Sequence, residues 1–115
     1  MANAIVHWEI GAQDKAKMLE FYRQMFDWSI DTANPAYAMV AAADGGIGGG
    51  MSQTPPGVPP YVTIYVSVDD LAASLAKAER LGGKTIVPPT PIPNVGAFAM
   101  FSDPEGHVIG LLKAA

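Results

Sequence analysis

The chain has 115 residues, half of them hydrophobic and only 16% charged, which is the composition of one folded domain and excludes intrinsic disorder. The net charge is −4 and the few basic residues form no cluster, so nucleic-acid binding is excluded. The longest apolar run, Tyr37–Ala43, is too short to span a membrane, and no secretory signal precedes it, so we expect a cytoplasmic protein. Because so little charge leaves apolar surface exposed, we expect a homodimer.

The first half of the chain predicts a strand, a helix and further strands. Residues 4–10 alternate, with His7 and Glu9 on one face of a strand and Trp8 on the other. Asp14 is a typical N-cap for a helix that follows. The helix's apolar stripe comprises Met18, Leu19, Tyr22, Met25 and Phe26. Strands are predicted at Trp28–Ile30 and Tyr37–Ala42, and a glycine-rich strand ends at Met51, where the missing side chains indicate a close approach to the backbone.

The second half repeats this order after a proline-rich linker at residues 52–60. Residues 61–68 alternate as a strand, Asp69 or Asp70 caps a second helix, and Gly82 with Gly83 ends it. A shift of 56 residues superposes the strand, cap, helix and next strand of the two halves. We therefore predict an α+β fold of two βαβββ modules, residues 4–51 and 60–113. They form one domain over residues 1–115, a curved mixed or antiparallel sheet around a cleft.

Several motifs then make the sequence similar to a known superfamily. They are His7 on the first strand, Phe21-Tyr22 on the first helix, Ser67-Val68-Asp69 before the second, and Ser102 to Gly106 before the last strand. With them the chain resembles the vicinal oxygen chelate superfamily, which includes glyoxalase I, extradiol dioxygenases and bleomycin resistance proteins. His7-Trp8-Glu9-Ile10 and Ile47 to Met51 are similar to small glyoxalase-like bacterial proteins. The resemblance implies the same two-module fold.

The resemblance also implies a metal site with one ligand from each of four strands. Carried over to this chain, the ligand positions fall on His7, Gly50, Thr63 and Gly110. Three of these residues offer neither imidazole nor carboxylate, and one imidazole does not hold a divalent ion against water. We therefore predict a protein with no metal and no cofactor.

The remaining polar residues of the predicted cleft are the candidate site. His7 and Glu9 are either an acid/base pair or structural polar residues, and the sequence leaves both interpretations open. The predicted ligand-contacting residues, with Met39 as a further apolar wall, are Thr63, Tyr65, Ser67, Phe98 and Met100. His107 follows a tight turn and is interpreted as an exposed turn residue. The glycine run at 45–50 has no following helix and no nearby lysine, so it is not a phosphate-binding loop.

Three functions remain. The first is a metal-free protein that binds a small molecule around His7 and Glu9. The second is a lyase or isomerase acting on a small carbonyl compound, with these two residues as the proton shuttle. The third is a subunit whose sheets serve only assembly. Turnover of a carbonyl compound separates the second from the others, and ligand binding separates the first from the third.

Overall fold

A computed structural model describes residues 2–114. These residues fall into two compact units, the first unit of residues 7–63 and the second unit of residues 2–6 with 64–114. Two helices lie in the described chain, α1 at Lys15–Phe26 and α2 at Leu71–Arg80. Its strands are β1 Ile5–Ala12, β2 Ile30–Asp31, β3 Tyr37–Val40, β4 Gly49–Gln53, β5 Tyr61–Ser67, β6 Lys84–Ile92, β7 Gly96–Ser102 and β8 Val108–Ala114. None of the helices within residues 2–114 has the length and apolarity needed to cross a membrane.

In the first unit the strand order is β2, β3, β4, β1. β1 and β4 run parallel, with Glu9 beside Gly50, while β3 is antiparallel to both of its neighbours. A parallel neighbour requires a long crossover, and α1 with the first hairpin supplies it. This is one βαβββ module with a mixed sheet.

The second unit repeats the arrangement with the order β5, β8, β7, β6. β5 and β8 run parallel, with Tyr65 beside Gly110, and the other two pairs are antiparallel. The strand β6 contains three prolines and lies at an edge, where missing backbone donors cost least. The predicted α+β class with two βαβββ modules is therefore confirmed.

Each helix packs on one face of its own half of the strands. In the first unit Leu19 of α1 forms a buried cluster with Ala12, Ala38 and Met51. In the second unit Leu71 and Leu75 of α2 form a cluster with Ala99 and Leu111. Since side chains alternate along a strand, the intervening residues point to the opposite, helix-free face. The predicted site residues lie on that face in both units.

Both predicted helix starts are confirmed. The Asp14 carboxylate accepts a hydrogen bond from the Lys17 backbone N–H at 3.1 Å, and Asp70 accepts one from Ala73 at 2.9 Å. These bonds satisfy donors that a helix leaves free at its first turn. After α2, Gly82 takes a φ of +101°, the left-handed conformation that favours glycine.

Two local predictions were wrong. The strand predicted at Trp28–Ile30 is the short β2, Ile30–Asp31, since only these two residues pair with β3, and the Trp28 ring stacks 5.4 Å from Tyr22. The predicted apolar stripe of α1 is only half buried: Met25 and Phe26 are 57% and 53% exposed. With Phe21, also 52% exposed, these two residues form an apolar surface that we call the α1 patch.

Candidate functional site

The helix-free face of the first unit places polar side chains from neighbouring strands side by side. The register sets Glu9 of β1 beside Gly50 of β4, and Ser52 of β4 beside Tyr37 of β3. His7 shares the Glu9 face of β1 because it lies two residues away. The predicted neighbours His7 and Glu9 are joined by polar residues from three further strands, β3, β4 and β5.

The carboxylate of Glu9 is the centre of this arrangement. The side chain is 7% exposed, yet each of its oxygens accepts a hydrogen bond from a tyrosine hydroxyl. Tyr37 donates to Oε1 at 3.0 Å and Tyr61 donates to Oε2 at 2.6 Å. Hydrogen bonds to a charged acceptor are short and strong, and they compensate for the lost hydration of a buried carboxylate.

His7 joins the carboxylate through Tyr37. The Nε2 atom of His7 lies 2.9 Å from the Tyr37 hydroxyl. That hydroxyl has one proton, which it donates to Glu9, so Tyr37 accepts from His7 and the neutral imidazole carries its proton on Nε2. Burial lowers the pKa of His7 below its ordinary value, and the charge of Glu9 opposes part of this shift. The imidazole is therefore neutral near pH 7.

Tyr61 and Ser52 continue the hydrogen-bonded chain on the other side of Glu9. The Ser52 hydroxyl lies 3.2 Å from that of Tyr61. Burial and the hydrogen bond to Glu9 raise the pKa of Tyr61, so the hydroxyl stays protonated and remains a donor. We call the set His7, Tyr37, Glu9, Tyr61 and Ser52 the tyrosine network.

Two glycines make room for the tyrosine rings. A Cβ atom on Gly50 would lie 2.1 Å from the Tyr37 ring, and one on Gly11 would lie 2.0 Å from the Tyr61 ring. Carbon atoms do not approach this closely, so each ring lies directly over glycine backbone. The close approach predicted for the glycine-rich strand is thus made by an aromatic side chain of the same chain.

Comparison with known proteins identifies the family. The sequence profile of the glyoxalase/bleomycin resistance protein/dioxygenase superfamily matches residues 4–111, nearly the whole chain. The chain belongs to this superfamily. The predicted resemblance is confirmed.

Relatives share both sequence and fold. The chain is 43% identical over 83 residues to "Putative glyoxylase CFP32" of Mycobacterium tuberculosis, covering 72% of this chain and 32% of that protein. It is 26% identical to "Anthracycline biosynthesis protein DnrV" of Streptomyces peucetius, covering 91% of this chain and 45% of DnrV. The chain thus spans a third to a half of these relatives. A superfamily member from Vibrio splendidus 12B01 superposes with a TM-score of 0.66 at 10% identity, covering 99% and 100% of the two chains, and shows the fold.

The superfamily's metal ligand positions do not fit a metal in this member. Gly50 and Gly110 offer no donor, and the Tyr37 and Tyr65 rings occupy the space that side chains there would need. Thr63 contributes only a hydroxyl, which is not a typical ligand of the divalent transition metals. Within residues 2–114 no three His, Asp or Glu side chains converge. Of the four ligand positions, only His7 therefore carries a side chain that is a typical ligand of these metals.

The other predicted ligand contacts lie along β5 and β7. Thr63 and Tyr65 are buried, and Tyr65 contacts the Phe98 ring edge to face, with centroids 6.5 Å apart. Ser67 hydrogen-bonds through its backbone N–H to Ala4. Met100, half-buried, pairs with Gly110 in the sheet. As ligand contacts, these residues stay predictions.

Three residues of the network were missed by the sequence analysis, and one polar residue outside it was interpreted correctly. Ser52 was assigned to the linker but lies in β4. Tyr37 and Tyr61 were assigned only to strands, although the glycines opposite them, Gly50 and Gly11, were a usable signal of rings above the sheet. His107 is an exposed turn residue as predicted, its ring 2.9 Å from the Asp103 carboxylate.

The lowered pKa of His7 predicts a pH-dependent stability. The unfolded chain has a His pKa of about 6.5, so below this pH it binds a proton that the folded His7 resists. We expect the free energy of unfolding to fall as the pH decreases from about 7.5 towards the lower folded pKa, then to level off. Urea denaturation at several pH values measures this slope. His7→Asn should flatten it and His107→Asn should not; equal slopes in all three proteins would contradict the prediction.

Proposed function

We propose that this superfamily member binds a small molecule at the tyrosine network, without the superfamily's metal. The observation that supports it is the Glu9 carboxylate, 7% exposed and held by two tyrosine hydroxyls on the sheet face that carries no helix. A buried charge costs several kcal/mol of desolvation unless it is compensated, and four polar side chains, His7, Tyr37, Tyr61 and Ser52, are arranged around this one. An aliphatic residue would stabilise a purely structural sheet at lower cost.

The network would orient the polar end of a ligand. Glu9 fixes the two tyrosine rings, while Tyr61 is 38% exposed and His7 is half-buried, so both can be reached from outside. A neutral His7 and a protonated Tyr61 present hydrogen-bonding groups without adding charge. A hydroxyl group on an otherwise apolar molecule suits them, because His7 and Tyr61 already donate their protons to Tyr37 and Glu9 and would accept from the ligand.

Ligand-observed NMR with a defined panel tests this proposal. The panel holds α-keto acids, α-hydroxy ketones and, because one relative is named for anthracycline biosynthesis, an anthracycline. Calorimetry then gives the Kd of each hit for the parent protein, His7→Ala and Glu9→Gln. We expect each substitution to weaken binding by about 1 to 3 kcal/mol, the cost of one buried polar contact, while the fold is retained. His107→Ala is the matched control, and unchanged Kd values in both network variants would refute the site.

A lyase or isomerase acting on a small carbonyl compound is the second candidate. It is favoured by the continuous hydrogen bonds from His7 through Tyr37 to Glu9, along which a proton can move. Neutral His7 would remove a proton from the carbon next to the carbonyl and return it to the enolate. Deuterium exchange at that carbon in D₂O, above the buffer rate and lost in His7→Ala, would establish this function. Exchange at the buffer rate would contradict it and leave ligand binding as the only proposed function of the network.

We also propose a homodimer that buries the α1 patch. Because the chain covers 45% of DnrV, two copies would supply a length close to that relative's. Light scattering should give about twice 12.0 kDa for the parent protein. Met25→Glu should yield a monomer, since a charge in an apolar interface is unpaired, whereas Leu81→Glu on the second unit should not. A parent monomer at micromolar concentration would contradict the proposal.

The cytoplasmic location and the single-domain boundaries also stay predictions.

A further inference from the structure

A groove of about 580 Å³ lies in the first unit on the α1 side of the strands. Its volume falls in the range typical of small-molecule sites. Its lining comes from the end of β1, the first turns of α1 and the start of β5, and includes Ile10, Asp14, Lys17, Met18, Tyr61 and Val62. Tyr61 is the one residue that this lining shares with the tyrosine network.

The walls of the groove are mostly apolar. Ile10 faces α1, and Met18 and Tyr22 of α1 pack partly buried against the same cluster. Opposite them, Val62 is 76% exposed, an unusual position for a branched aliphatic side chain in a strand. An apolar molecule in the groove would cover Val62 and contact both walls.

The groove is lined by one acidic and one basic residue, Asp14 and Lys17, and the basic one favours an anion at its rim. The Asp14 carboxylate is engaged by the Lys17 backbone N–H, and the Gln13 amide lies 3.4 Å from the Val58 carbonyl. The Lys17 ammonium has no ion pair among the described residues. Lys17 also lies in the first turn of α1, where the helix dipole adds positive potential.

We infer that this groove binds a small apolar monocarboxylate. The hydrocarbon part lies between Val62 and Met18, and the carboxylate pairs with the Lys17 ammonium. This site does not rest on the proposed function, since the groove shares only Tyr61 with the tyrosine network, and Met18 and Val62 lie on the opposite face of the strands. A ligand of the network would perturb His7 and Tyr37, whereas a ligand of the groove perturbs Lys17 and Val62.

An NMR titration of the ¹⁵N-labelled protein with three matched probes tests the inference. The probes are 4-phenylbutyrate, 4-phenylbutanol and 4-phenylbutylammonium, which share one hydrocarbon part and differ in charge. We expect 4-phenylbutyrate to shift the amides of Lys17, Met18 and Val62 and to bind about two- to five-fold more tightly than the alcohol, as an exposed ion pair allows. The ammonium probe should bind most weakly. Equal affinity of all three, or shifts confined to other residues, would overturn the inference.

Substitutions at exposed positions separate the two parts of the inference. Lys17→Met keeps the apolar stem and should abolish the advantage of the carboxylate over the alcohol, whereas Lys77→Met on α2 should retain it. Val62→Trp should fill the groove and weaken binding of 4-phenylbutyrate at least about ten-fold, as loss of a fully occupied pocket requires. Val95→Trp, on the exposed turn after β6, is the control for an added indole. Undiminished binding to Val62→Trp would place the probe elsewhere.

Discussion

Replacing Glu9 by Leu is expected to lower the free energy of unfolding by about 3 kcal/mol. The substitution removes the acceptor for the Tyr37 and Tyr61 hydroxyls and, through Tyr37, disturbs the partner of His7. Each buried donor left without an acceptor costs about 1 to 3 kcal/mol, and the gain from an apolar side chain offsets only part of that sum. Urea denaturation monitored by tyrosine and tryptophan fluorescence measures the change.

Two comparison variants make this result specific. Glu9→Gln keeps one carbonyl acceptor and the side-chain shape, so its cost should be about 1 kcal/mol. Glu105→Leu removes an exposed carboxylate from the turn before β8 and should change stability by less than about 0.5 kcal/mol. If Glu9→Leu were as stable as the parent protein, the hydrogen bonds of the network would contribute nothing to the fold.

Gly50→Ala is expected to displace the Tyr37 ring and cost about 1 to 3 kcal/mol. The new Cβ would lie 2.1 Å from the ring and 2.3 Å from the Tyr37 hydroxyl oxygen. The ring can rotate away, but its hydrogen bonds to Glu9 and His7 are then lost. The loss of stability therefore comes from the polar contacts rather than from backbone strain.

A double-mutant cycle measures this coupling directly. In a Tyr37→Ala background the space above Gly50 is empty, so Gly50→Ala should be close to neutral. Gly46→Ala, in the exposed turn before β4, is the control for the intrinsic effect of losing a glycine. If Gly50→Ala costs the same with and without the tyrosine, the ring does not occupy the space above the glycine.

The positions of the helices and the repeated order of elements could be predicted from short-range patterns. Asp14 and Asp70 accept hydrogen bonds from residues three positions away, so their role as N-caps can be predicted from the local sequence. The alternation of β1 likewise places His7 and Glu9 on one face. The depth of burial along α1 was not predictable, because Met25 and Phe26 follow the helical period yet are more than half exposed, and exposure depends on which other elements cover the helix.

The sequence by itself determined the family, the two-module fold and the absence of carboxylate or imidazole from three of the four ligand positions, since these depend on residue identity and local periodicity. Only the tertiary structure showed that the Tyr37 and Tyr65 rings occupy the space above Gly50 and Gly110. Tyr37 and Tyr61 lie 28 and 52 positions from Glu9, and strand pairing brings their hydroxyls to its carboxylate. Such contacts follow from sheet register, which is set by long-range packing and is not encoded in any local pattern. The glycines that admit the rings are visible in the sequence, but which rings they admit depends on which strands become neighbours.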